Sequence, residues 1–335
     1  MKVAELREKI RDYTRNRLER VVVEMYKAIP KAVKEDQGID SLILSPNPGQ
    51  RVPKERARPD MDEIAFETEE FISNAYNQFY FAPNSVVPKR ERPKWRFIAR
   101  RLFKELNRAA VQPEDAAEAA DLLKQLYELL CHSCAYILFS AYDSFESVGI
   151  SQVEFFRAVL AAKRKVESPP EFVRDSIVLA LANSLNRYTL YESLLSEVEA
   201  FLHTVDMKER AVEVCDDLRR EVTAGQSNDR RLSRDRLQGY NRDHFLQNLA
   251  IAGWMWHMAL GQPKEAIGYF QKHYMEKNPE IALYVLLRMI EHHGCWALWL
   301  KTYDEAVERG VRPRDELRRA YRDIQGKLDG RTKAE

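Results

Sequence analysis

Residues that break helices are few in this chain and fall in a handful of places. The 335 residues contain 12 glycines and 14 prolines. A sheet needs frequent turns, and turns draw on glycine, proline, asparagine and aspartate. The stretches 60–82 and 114–148 hold no glycine or proline at all. Apolar residues recur in such stretches at helical spacings of three and four. The expected fold class is therefore all-α, a helical bundle followed by an α-solenoid-like array of antiparallel helical hairpins.

The length suits two or three domains with a real hydrophobic core. Apolar residues at 45% and charged residues at 31% are a globular balance. The spacing predicts a helix over Val3–Ile29, stopped by Pro30, and a short helix ending at Leu44. Ser45–Pro59, with four prolines and a glycine, reads as an exposed loop. A helix resumes at Asp60 or Asp62, turning Ile64, Phe71, Ile72, Ala75 and Phe79 inward. The region Pro113–Gly149 reads as a long helical stretch, broken at most once. Its buried stripe is Leu122, Leu126, Leu129, Leu130, Tyr136 and Ile137. Helices follow at Ser151–Val166, Pro170–Tyr188, Leu190–Val205 and Met207–Thr223. Ala224–Gly239 is polar and reads as a linker or a short basic helix. The expected domains are an N-terminal helical region 1–110, a central bundle 111–224, a linker 225–239 and a hairpin array 240–330.

In the last region Gly253, Trp256, Ala259, Gly261, Ala266, Ile267, Phe270 and Pro279 form a pattern. It resembles the helix-turn-helix of a tetratricopeptide repeat, with one extra residue at the turn and another before the proline. The resemblance covers under a quarter of the chain, and no strict period of about 34 residues recurs elsewhere. It implies stacked helical hairpins, with a second one at Pro279–His292 and Trp296–Arg309. The N-terminal layout resembles uncharacterised bacterial helical domains, through Tyr26-Lys27 with Pro30, Ser45-Pro46-Asn47, and Phe79–Asn84 before Arg92-Pro93-Lys94. No activity comes with that resemblance.

Several chemistries lack their motifs. The chain has no G-x-x-x-x-G-K-[ST], no G-x-G-x-x-G, no G-x-S-x-G, no H-E-x-x-H and no E-x-x-H. Cys131-His132-Ser133-Cys134 offers three metal ligands at most, with no second pair at ribbon spacing, and reads as core packing. His257 and His273 fall on neighbouring helices, while His292-His293-Gly294, with Cys295 beyond, reads as a helix C-terminus. Glu63, Glu67 and Glu70 share one helix face, either a cation site or a solvated acidic face. Trp254, Trp256, Trp296 and Trp299 read as core fillers, with base stacking as the other use. No catalytic residue, metal or cofactor is assigned.

One segment points to a partner. Within Pro88–Lys104 stand Lys89, Arg90, Arg92, Lys94, Arg96, Arg100, Arg101 and Lys104 against one anion, Glu91, in a protein of net charge +1. On a helix over Pro93–Arg108, Trp95, Ile98, Leu102 and Leu106 form an apolar stripe widened by Ala99 and Phe103. Arg96, Arg100 and Lys104 form a second line. The cations serve either to pair with Glu63, Glu67, Glu69 and Glu70, leaving a protein-facing surface, or to bind phosphates. In the second case Arg230, Arg231, Arg234, Arg236, Lys54, Arg56 and Arg58 would join them. An anionic small ligand is a third use. The near-neutral total charge favours the first. The expectation is a non-enzymatic scaffold that binds a protein partner, with a nucleic-acid-associated protein as the alternative. Four scattered cysteines, a charged opening segment and the lack of an 18-residue apolar run lead to a cytoplasmic expectation with no membrane partner.

Overall fold

The computed structural model describes residues 3–30, 33–34, 39–44, 60–227, 229–233, 237 and 239–332. Among these residues every regular element is helical. The chain divides between Arg58 and Pro59 into two compact units.

The first unit holds α1 (Val3–Ile10), α2 (Arg15–Ala28) and α3 (Ile39–Leu44). The single helix expected over 3–29 is interrupted, because Thr14 takes an extended conformation (φ −63°, ψ 155°) and starts α2 afresh. Ile29 is extended too, as a residue before proline should be. No residue of α2 is buried, and Val22 and Met25 stand at the surface. Tyr26 donates its hydroxyl to Asp40 of α3 at 2.7 Å. The loop expected at 45–59, with Lys54, Arg56 and Arg58, lies outside the described residues.

The second unit begins with α4 (Met61–Tyr76), capped by Asp60, whose carboxylate accepts from the Asp62 amide at 3.1 Å. A 3-10 turn at Arg92–Lys94 leads into α5 (Trp95–Ala109), and α6 (Ala116–Ala135) follows. α4 and α5 pack on each other and both lie on α6. Trp95, Ala99, Leu102 and Leu106 of α5 are buried, and Ile98 and Phe103 of the expected stripe are half-buried. Each leucine adds roughly 1.5–3 kcal/mol by leaving water.

The chain leaves α6 earlier than its breaker-free sequence suggests. Tyr136 turns extended (φ −130°, ψ 142°), and Phe139 stacks on Trp95 with ring centroids 3.9 Å apart. Tyr136 and Ile137, expected in the buried stripe, are instead 61% and 64% exposed. A short helix α7 (Ser144–Val148) bridges to α8 (Gln152–Val166) and α9 (Pro169–Leu181). Ser168 and Glu171 close a capping box at the start of α9.

α9 stops at Leu181 rather than running to Tyr188, because the fully buried Gln152 holds the following loop. Its amide donates to the Ser184 carbonyl at 3.0 Å, and its oxygen accepts from the Asn186 amide at 2.8 Å. α10 (Tyr191–Phe201), α11 (Val205–Ala224), α12 (Tyr240–Ala259), α13 (Pro263–His273), α14 (Pro279–His292), α15 (Trp296–Glu308) and α16 (Asp315–Thr332) complete the unit. α12 and α13 pack together across the turn Leu260–Gln262, as do α14 and α15 across His293–Cys295. Trp254, Trp256 and Trp299 are buried in this region, and Trp296 lies at the surface. Among the described residues no helix is long and apolar enough to cross a membrane.

Candidate functional site

At about 100° per residue, α5 turns Arg96, Arg100, Lys104, Arg108 and Phe97 away from its buried stripe. All five are exposed, and Phe97 is 60% exposed. The row from Arg96 through Arg100 to Lys104 advances about 6 Å per step. Arg96 lies over the Phe97 ring at 5.0 Å, and Arg100 rests against Gly149 at the end of α7. Among the described residues no carboxylate pairs with Lys89, Arg96, Arg100 or Lys104.

The other four cations of the sequence-predicted set are engaged. Arg92 is internal: its guanidinium donates to the Val87 carbonyl at 3.1 Å and the Asn84 carbonyl at 3.3 Å, fixing the loop that enters α5. Lys94 pairs with Glu91 at 2.7 Å, and Arg90 approaches the same carboxylate at 3.4 Å. Arg101 bridges α5 to α4, meeting Glu67 at 2.7 Å and Glu105 at 3.0 Å. Such half-exposed pairs contribute about 1 kcal/mol or less. Of the acidic residues expected to neutralise the block, only Glu67 reaches it. Asp62, Glu63, Glu69 and Glu70 remain exposed on α4, where Phe66 is also 67% exposed.

No protein-family model, no curated protein and no solved structure matches this chain.

Of the arginines of the 225–239 segment, Arg230 is exposed, and Arg231 turns into the fold and does not join this surface. Arg234 and Arg236 lie outside the described residues. Arg231 sits in a 3-10 turn at Arg230–Leu232, whose Leu232 is buried, and its side chain is only 14% exposed. It pairs with Asp175 of α9, with Asp229 at 2.8 Å and with Glu128 of α6 at 3.4 Å. Asp175 also takes Lys163 of α8 at 2.6 Å and Lys124 of α6 at 3.4 Å, and Lys163 pairs with Glu167. Burial pushes the Asp175 carboxyl up, but Arg231, Lys163 and Lys124 outweigh it and hold the group well below the usual carboxylate range.

The remaining candidates fall into the core or onto helix ends. Cys131 is fully buried and receives a hydrogen bond from Gln152 at 3.3 Å. Burial, with Asp143 nearby, pushes the Cys134 thiol up to about 12, so it stays protonated at neutral pH. His257 and His273 flank the Tyr269 ring, at 5.5 and 4.5 Å between centroids. The sequence reading missed Phe97 as a surface residue. Its signal was an aromatic standing between Arg96 and Arg100 on the polar side of an otherwise regular stripe.

Proposed function

We propose that this protein is a helical scaffold that holds a protein partner on the α4–α5 face. The partner would present carboxylates to the cations of α5 and basic groups to the acidic row of α4, around an apolar side chain. The observation that carries this reading is the exposed Phe97 among Arg96, Arg100 and Lys104. Aromatic and arginine side chains together are the composition of binding hot spots. A phosphate backbone fits less well. Asp62, Glu63, Glu69 and Glu70 lie on a helix whose axis runs about 8–10 Å from that of α5. That distance is about one Debye length at physiological salt, so those carboxylates repel a polyanion on α5.

The packing order supports an α-solenoid-like arrangement. Within the expected array 240–330, α12 packs on α13, α14 on α15 and α15 on α16. Neighbour-to-neighbour packing of this kind is how solenoids grow. The tetratricopeptide-type reading of 253–279 draws support from the close crossing of Gly253 with Tyr269, and from α14 starting at Pro279. Four unpaired cysteines fit a reducing, cytoplasmic setting.

The test is crosslinked capture by wild type, the double variant R96E/K104E and F97A, with mobility shifts on mixed DNA and RNA at about 0.15 M salt. The expected result is one protein captured by wild type and lost from both variants, with no shift. Capture indifferent to both variants overturns the reading. A shift lost in R96E/K104E replaces it with the nucleic-acid alternative.

A further inference from the structure

A cleft of about 420 Å³ opens at the seam between two C-terminal helix pairs, α12–α13 and α14–α15. Small-molecule sites span about 300–1,000 Å³. Every residue that lines this cleft is among those described. Phe270 of α13, Leu283 and Leu286 of α14 and Val311 give it apolar walls. Tyr274 also lines it, its ring stacked on Phe270 at 4.4 Å between centroids. From the other side α15 and its C-cap bring Thr302, Ala306 and Arg309. Their i, i+4 and i+7 spacing sets all three on one face of the helix.

Two polar features stand out in this apolar lining. Thr302 is 1% exposed, and its hydroxyl has no hydrogen-bond partner. Leaving a buried hydroxyl unpaired is unfavourable, so a group that took this bond would gain. Threonine on a helix has two accessible rotamers, and a turn about χ1 swings the hydroxyl to a new direction. The second feature is one charge of each sign beside the cleft. The exposed Arg309 donates through Nε to the Glu305 carbonyl at 3.1 Å. The half-exposed Glu276 accepts from the Asn278 amide at 2.8 Å through one of its two oxygens. Among the described residues no carboxylate pairs with Arg309 and no cation pairs with Glu276.

We propose that this cleft binds a free aromatic α-amino acid. Its carboxylate meets Arg309, its ammonium meets Glu276, and its ring lies against Phe270, Leu283 and Leu286. A simple anion or cation would gain from one of the two charges and be repelled by the other, whereas a zwitterion gains from both. The planar guanidinium also matches a carboxylate with two parallel hydrogen bonds. Thr302 stands seven residues, or about 10 Å along α15, from Arg309, where the far end of the side chain would come. A tyrosine hydroxyl there would satisfy the unpaired Thr302, so tyrosine is favoured over phenylalanine.

Isothermal titration of the full chain with L-tyrosine tests the assignment. Tyramine lacks the carboxylate, 3-(4-hydroxyphenyl)propionate lacks the ammonium, and L-phenylalanine lacks the hydroxyl. L-Tyrosine should bind saturably, and each single-charge analogue about tenfold more weakly. Arg309→Gln and Glu276→Gln should each weaken tyrosine binding about tenfold. Neither side chain is buried, so both variants should keep the near-ultraviolet circular dichroism of the wild type. Thr302→Val should bring tyrosine and phenylalanine to equal affinity. Heats of dilution alone, a single-charge analogue as tight as tyrosine, or wild-type affinity in both charge variants overturns the proposal. A tyrosine preference that survives Thr302→Val overturns the part given to that hydroxyl.

Discussion

Tyr269 occupies the space that any side chain on Gly253 would need: a Cβ built there would stand 2.1 Å from the Tyr269 ring. The ring cannot retreat freely. Its hydroxyl donates to Asp216 at 2.9 Å, and the rings of His257 and His273 pack near it. Alanine is a better helix former than glycine by about 1 kcal/mol, yet overpacking costs about 1–3 kcal/mol, so the crossing decides the sign. Gly253→Ala should lower the urea midpoint, and the same substitution made on a Tyr269→Ala background should cost much less. A Gly253→Ala variant as stable as wild type would show that α12 and α13 do not meet this closely.

Arg231 neutralises three carboxylates drawn from α6, α9 and its own turn. Replacing it with methionine keeps much of the volume and leaves those charges with too few partners. Breaking a buried pair from one side costs about 3–5 kcal/mol. Denaturation of Arg231→Met should show a loss of that order, far beyond that of Arg96→Met on the exposed face. Equal losses in the two variants would refute the burial of Arg231.

The carboxylates around Arg231 respond to acid in opposite senses. Asp175 and Asp229 are both held below the usual range, their cations outweighing burial. Glu128 goes the other way: burial raises it, and Arg231 and Lys124 only partly offset that. A depressed carboxyl stabilises the fold fully above its unfolded value of about 3.9, and that stability is lost as pH falls toward the folded value. A raised carboxyl weakens the fold once pH exceeds its unfolded value of about 4.3, and acidification restores what was lost. Urea midpoints should therefore hold or rise slightly from pH 7 to pH 5 and fall below about pH 4. Glu128→Gln should be more stable than wild type at pH 7 and lack the rise, keeping the acid fall. A variant curve parallel to wild type at every pH would contradict the raised Glu128.

The four thiols should separate by reactivity. Cys131 and Cys215 are buried, and burial pushes the Cys134 and Cys215 thiols up to about 12. Cys295 is partly exposed, on the turn between α14 and α15. Titration with an aromatic disulfide at pH 8 should find one fast thiol in the native protein and four in guanidinium. A fast second thiol lost in Cys134→Ser would contradict the placement of Cys134.

The helical class and many boundaries were legible because the chain marks them with capping chemistry. Asp60, Ser168, Pro279 and Gly294 each stand at a helix end. The ends of α6 and α9 were not legible, because contacts from distant sequence set them. Phe139 is drawn onto Trp95, and Gln152 grips the loop at Ser184 and Asn186. The basic helix was read correctly as an amphipathic element, and its row of Arg96, Arg100 and Lys104 lies exposed. Its supposed neutralisation by α4 reduces to one pair, Glu67 with Arg101. The role of Arg231 was hidden altogether, since Asp175 and Glu128 stand 56 and 103 positions away from it.

The turn at Arg230–Leu232 also bears on how this unit comes apart. Its arginine leaves water favourably only when α6, α8 and α9 have already placed their charges around it. No subset of those elements satisfies the set, so half-assembled forms of this region carry stranded charge and stay sparsely populated. Within a stretch that composition marks as a linker, this turn is a clasp. A protease nick beside it should leave the flanking fragments associated until the whole unit melts.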